Sequence, residues 1–187
     1  MLLEQLVAYA ERLERGSSDK PKVPFMYQEQ PVRWLVYLDK DGNFQRLQQT
    51  SDGSGKKNDR GKRFLTPHVM RSSGSKAKLL ADNGEYALGI AREGADTAKV
   101  AERHKLFIDE ITTCAEVTKL SDVDAVRRYL VELLPTAKPD LSEDFVAEDV
   151  VSFSVEGNFP FDAPEVQHYW AGKFANTPES TNDDSFR

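Results

Sequence analysis

Residues 32–49, VRWLVYLDKDGNFQRLQQ, decide the fold class. Val32, Trp34, Val36 and Leu38 alternate with Arg33, Leu35 and Tyr37, the two-residue period that puts one set of side chains on each face of a strand. Asp39-Lys40-Asp41-Gly42-Asn43 supplies turn chemistry ahead of residues 44–49, so the stretch predicts a β-hairpin. Upstream, Leu2, Leu3, Leu6, Val7, Ala10 and Leu13 recur at three- and four-residue steps, which predicts an amphipathic helix over 2–15, ended by Gly16 and followed by a polar, proline-bearing linker. Downstream, residues 50–62, TSDGSGKKNDRGK, have the composition of a mobile loop, and Phe64-Leu65 ahead of Pro67 reads as a short strand. Residues 75–89 suggest a short helix or helical turn. A longer helix over roughly 98–118 follows, with Val100, His104, Phe107, Ile108, Ile111, Cys114, Ala115 and Thr118 on one stripe.

Ser121, with Asp124 three residues on, predicts a capped second helix that turns Val123, Val126, Leu130, Leu133 and Leu134 inward as far as Pro135. Val151, Phe153 and Val155 alternate with Ser152 and Ser154, predicting a half-buried strand with a hairpin partner. Asp162 and Glu165 form a capping pattern around Pro164 that opens a last helix carrying Val166, Tyr169, Trp170 and Phe174. Strands and helices are interspersed without regular alternation. The expected fold is therefore α+β: a small, mostly antiparallel sheet containing the β-hairpin, packed with several amphipathic helices, as one domain over 1–175. Residues 176–187 read as a disordered tail.

The composition excludes several classes. With 39% hydrophobic and 30% charged residues, neither a collagen-like nor a wholly disordered chain fits. No apolar run approaches the roughly 18 residues that span a bilayer, so no signal peptide or membrane anchor is expected. The single cysteine, Cys114, cannot form an internal disulfide, and a reducing, cytoplasmic setting follows as the simplest expectation. Net charge is −6, yet residues 55–78 hold Lys56, Lys57, Arg60, Lys62, Arg63, Arg71, Lys76 and Lys78 against one acid, Asp59. Residues 139–187 reverse this, with eleven acids against Lys173 and Arg187. Such segregation points to an electropositive face aimed at a polyanion, although a solvated loop has the same composition.

Catalytic patterns are weak. Around Gly55-Lys56 a phosphate-binding loop would need a glycine where Thr50 stands, a hydroxyl residue where Lys57 stands, and a helix that RGKRFLTP does not open cleanly. Cys114 and His104 are ten residues apart on one predicted helix, about 15 Å of rise, and cannot act as nucleophile and base together. His68 and His168 are isolated, Asp183-Asp184 fall in the tail, and Asp140, Glu143 and Asp144 read as the start of a helical turn. No metal site, cofactor or acid–base pair is expected, and Trp34 and Trp170 fit core positions. A free-standing nuclease would need clustered carboxylates on ordered segments, which the pattern lacks. What remains is binding chemistry, with bases interleaved with Gly, Asn and Ser that let the backbone approach phosphates. Asn83 could pair with an adenine edge or serve a local turn in Asp82-Asn83-Gly84.

The run at residues 55–89, GKKNDRGKRFLTPHVMRSSGSKAKLLADNGEYALG, resembles the N-terminal region of the large subunit of type I-C CRISPR interference complexes, the Csd family of Cas proteins. The opening helix, LDKDGNFQRL at 38–47 and FSVEGNFPFDAPEVQHYW at 153–170 extend the resemblance over most of residues 1–175. Members of that family are much longer, so the resemblance implies that this chain looks like an N-terminal portion of one. The resemblance implies a non-catalytic subunit of an RNA-guided surveillance complex (Cascade) that recognises the protospacer-adjacent motif in double-stranded DNA and helps start unwinding, while the guide reads the rest. It also implies contacts with the other guide RNA–protein Cascade subunits and with a helicase-nuclease recruited afterwards. On this view Lys56, Lys57, Arg60, Lys62 and Arg63 hold DNA phosphates. Arg71, Ser72, Lys76, Lys78 and Asn83 are the motif-proximal contacts. The alternative is a structural subunit whose basic segment grips guide RNA or a neighbouring subunit without inspecting DNA.

Overall fold

The computed structural model describes residues 22–175; the predicted helix 2–15 and the tail lie outside them. Strand β1 (Tyr27–Val32) pairs antiparallel with β4 (Lys62–Pro67) in a two-stranded ribbon. A second sheet has the order β3-β2-β6-β5, with β2 at Trp34–Leu38, β3 at Phe44–Gln49, β5 at Ala81–Asn83 and β6 at Val150–Val155. Three of the four strand pairings are antiparallel, and the fold is α+β as the sequence implies.

The β2–β3 hairpin forms where expected. Asp39 organises its turn: Oδ1 accepts the Asp41 and Asn43 backbone N–H groups, both at 2.9 Å, and Oδ2 accepts the Asn43 amide. The Asn43 side-chain bond, then its backbone bond, hold the Asp39 carboxyl below its usual range.

Strand β6 departs from the expectation. It is no hairpin arm but the parallel neighbour of β2, in register Trp34↔Val151 through Leu38↔Val155, with β5 antiparallel on its other side. It is buried on both faces, Ser152 and Ser154 included. Alternation of serine with large apolar residues here separates two interior faces, and Ser152 Oγ donates to the Leu80 carbonyl at 2.8 Å.

Helix α1 (Gly84–Ala87) follows β5 directly, so the predicted helix over 75–89 resolves into a loop, a three-residue strand and one helical turn. Helix α2 (Thr97–Thr118) confirms the strongest periodicity. Asp96 caps it, and Val100, Phe107, Ile111, Cys114 and Ala115 are buried. Helix α3 (Ser121–Arg128) starts one residue earlier than Ser121 as a cap would require: Leu120 occupies the cap position without a side-chain bond. It runs on into a π-helical turn, Tyr129–Leu133, before Pro135. Residues 143–144 form an isolated turn. Asp162 ends a 3₁₀ turn, Pro160–Asp162, and helix α4 (Pro164–Ala175) opens with Pro164. Phe107 and Tyr129 meet Phe153 of β6 at ring distances of 6.2 and 6.3 Å, so α2 and α3 cover one face of the sheet.

Trp170 of α4 is fully buried and its indole N–H donates to the carbonyls of Met26 and His68, at 3.0 and 3.1 Å. Tyr27 donates to the Phe161 carbonyl at 2.8 Å. These bonds pin one end of the β1/β4 ribbon to α4 and the segment before it. Burying a side chain as large as Trp170 is worth about 3 kcal/mol in transferred surface, which makes α4 the anchor of that end.

Candidate nucleic-acid interface

Strand β4 lies in the middle of the basic segment and divides it. Six residues at about 3.3 Å each put its ends roughly 17 Å apart, with the 50–61 loop at one end and the 68–80 loop at the other. Consecutive strand residues point to opposite faces, so Lys62, opposite Val32, and Arg63, opposite Pro31, diverge. The five residues expected to form one phosphate-holding cluster therefore do not share one direction.

The first loop has a built base. Asp59, the one acid of the block, accepts Ser51 Oγ at 2.6 Å, Gly61 N–H at 2.7 Å and Asp52 N–H at 3.0 Å. Arg33 lies 3.4 Å from Asp59 and donates to the Thr50 carbonyl at 2.8 Å. The Ser51 hydroxyl bond, followed by the Gly61 N–H, holds the Asp59 carboxyl down to about 2. Gly61 closes the base at φ +101°, where a Cβ would sit 2.4 Å from the Val32 carbonyl. From this platform Lys56 and Lys57 project into solvent, and among the described residues their ammonium groups have no partner. Sequence reasoning missed Arg33 and Asp59. A lone acid two residues before a glycine was a signal for Asp59, but nothing local linked it to Arg33.

The arginines are less free. Arg63 Nε lies 3.2 Å from Glu29, with the two side chains 57% and 62% exposed. Such a pair is worth roughly 0–1 kcal/mol, so a phosphate can displace Glu29 at little cost. Arg60 is 3.6 Å from Asp149 and remains 66% exposed. Lys62 lies over Phe64, 5.4 Å from the ring centroid.

Arg71 is different. Its Nη2 donates to Asp82, whose side chain is 1% exposed, its Nε donates to the Lys76 carbonyl at 2.6 Å, and its guanidinium lies 4.1 Å over the Tyr86 ring. Withdrawing it would strand a buried carboxylate, at a cost of about 3–5 kcal/mol, more than one phosphate contact returns. Burial pushes the Asp82 carboxyl up, against the pull of Arg71 and of the Lys78 N–H. Lys78 is half-buried, reaches Gln30 Oε1 at 3.4 Å, and is itself pushed down by burial. Asn83 takes its local role: Oδ1 accepts the Tyr86 N–H at 3.2 Å and caps α1. Of the motif-proximal set, Ser72 and Lys76 are exposed, with no side-chain partner among the described residues.

Among the described residues no group of three or more His, Cys, Asp or Glu is placed to hold a metal ion, and no helix is long and apolar enough to cross a membrane. Cys114 is buried, and desolvation pushes its thiol up to about 12. His104 Nδ1 lies 2.8 Å from the Tyr86 carbonyl, and burial lowers its pKa.

A search of curated proteins found no match. A family model described as CRISPR-associated protein (Cas_Csd1) matches residues 6–186, a span that contains both sheets, all the helices described and both basic loops. The chain belongs to this CRISPR-associated family, Cas_Csd1.

Proposed function

We propose that this chain is the DNA-inspecting N-terminal part of a type I-C Cascade large subunit, a non-catalytic element that engages the protospacer-adjacent motif in duplex DNA and helps start R-loop formation. Lys56 and Lys57 hold phosphates at one end of the β1/β4 ribbon, aided by Arg60, Lys62 and Arg63. Lys76 and Ser72 meet the duplex near the motif at the other. The guide RNA–protein subunits supply sequence reading by base pairing, and the helicase-nuclease follows once the duplex is open. The observation that carries the reading is the pair of unpartnered, exposed lysines on a loop whose base is fixed by Asp59 and Gly61.

The test is duplex binding by the assembled complex across a salt series. Replacing Lys56 and Lys57 by alanine should reduce the log–log salt slope by about 1.8, at about 0.9 per lost phosphate contact. An unchanged slope removes the phosphate assignment. Binding that is indifferent to the adjacent motif, with the lysines protected by guide RNA instead, would favour the structural role.

A further inference from the structure

The 68–80 loop is closed by one side chain. Arg71 leaves its outgoing stem and bonds the Lys76 carbonyl on the returning stem. The carboxylate it also binds, Asp82, accepts the Lys78 N–H of the returning stem at 2.9 Å and the Asn83 N–H at 2.8 Å. Tyr86 lies under the guanidinium, and Arg103, 6.0 Å from the same ring, is held by the buried Glu85. The Arg71 guanidinium is thus engaged along its edge and on one face, at 26% side-chain exposure. Between the stems, Ser72, Ser73, Gly74 and Lys76 are exposed.

We infer that Arg71 is a positioning residue: it does not touch the duplex but fixes the path of residues 72–76, so that Ser72 and Lys76 meet DNA in one geometry. The inference rests on the DNA-binding reading above. A direct phosphate ligand and a staple make opposite predictions. A lysine can replace a phosphate ligand, whereas it cannot reproduce a fork that binds a carboxylate, a carbonyl and a ring face together. Freeing Arg71 from its carboxylate strengthens a direct ligand and weakens a staple.

Duplex binding by the assembled complex should separate them. Arg71→Lys should lower the salt slope by the same 0.9 or so as Lys76→Ala, and the double variant should bind within about twofold of Arg71→Lys alone, because loss of the staple already removes the Lys76 contact. Asp82→Asn should weaken binding although it removes a negative charge. Normal binding by Arg71→Lys, multiplied losses in the double variant, or tighter binding by Asp82→Asn would each overturn the inference. A spin label at Ser73→Cys gives a readout without DNA: its mobility should rise in Arg71→Lys, and an unchanged spectrum refutes the staple. If the unmodified complex ignores duplex DNA, the proposed function fails by itself, and the label still decides the role of Arg71 in the loop.

Discussion

Gly61 offers a perturbation whose size can be worked from geometry. It joins the 50–61 loop to β4 at φ +101°, and a Cβ there would lie 2.4 Å from the Val32 carbonyl, 2.6 Å from Thr50 Oγ1 and 2.7 Å from Arg33 Cα. The backbone conformation alone costs an L-residue about 1–3 kcal/mol. Two of the three clashes are with main chain, so relief requires β4 to move away from the β1–β2 junction. That movement loosens the Lys62 N–H bond to Thr50 Oγ1, at 2.9 Å, and the Gly61 N–H bond to Asp59, each worth roughly 0.5–1.5 kcal/mol. Gly61→Ala should therefore cost about 2–6 kcal/mol, with about 4 as the central value. Gly55→Ala is the comparator: φ is +65° and nothing lies within 4 Å of its Cβ, so only the backbone penalty of about 1–2 kcal/mol applies. Urea unfolding monitored by tryptophan fluorescence should place the Gly61→Ala midpoint roughly 1 M below that of Gly55→Ala, at a slope of about 2 kcal/mol/M. Equal midpoints would show that the loop base yields freely and does not hold Lys56 and Lys57 in place.

Two further outcomes follow from buried groups. Desolvation raises the Cys114 thiol from 9.0 to about 12, a roughly thousandfold smaller thiolate fraction, so alkylation of the native chain should be at least that much slower than of an unfolded one; equal rates would refute its burial. His104 carries a lowered pKa, so below 6.5 the unfolded chain binds more protons than the folded one, and stability should fall as pH drops from 7 toward 5. His104→Gln should flatten this dependence in melts at both pH values, and an identical pH slope would assign the effect to other groups, His68 among them, which burial shifts the same way.

How much of this was legible in the sequence depends on the distance over which each feature is specified. The β2–β3 hairpin and α2 are written locally, in a two-residue alternation around Asp39–Asn43 and an apolar stripe along a helix of about six turns, and both form as expected. Strand β6 forms where the alternation predicts, but it is buried on both faces rather than one, because Ser152 looks like a solvent-facing residue until a partner about seventy residues away, the Leu80 carbonyl, buries it. Strand β5 is three residues long and exists through its pairing with β6, so no periodicity could announce it.

The charge pattern behaved in the same way. Segregation of bases into residues 55–78 is legible in the sequence, but the division of labour among them is tertiary. A guanidinium offers a planar fork and a stacking face, and the fold uses both: Arg33 and Arg71 each lean on an aspartate at the base of a loop. An ammonium on a flexible stem organises little, and the ammonium groups of Lys56, Lys57 and Lys76 remain outside these networks among the described residues. The arginines of the segment therefore include part of its scaffold, and on the proposed reading the phosphates fall chiefly to lysines whose placement depends on that scaffold. A screen that replaced every base in turn would find losses at both kinds of position; the lysine-for-arginine exchange separates a charge that binds from a fork that holds.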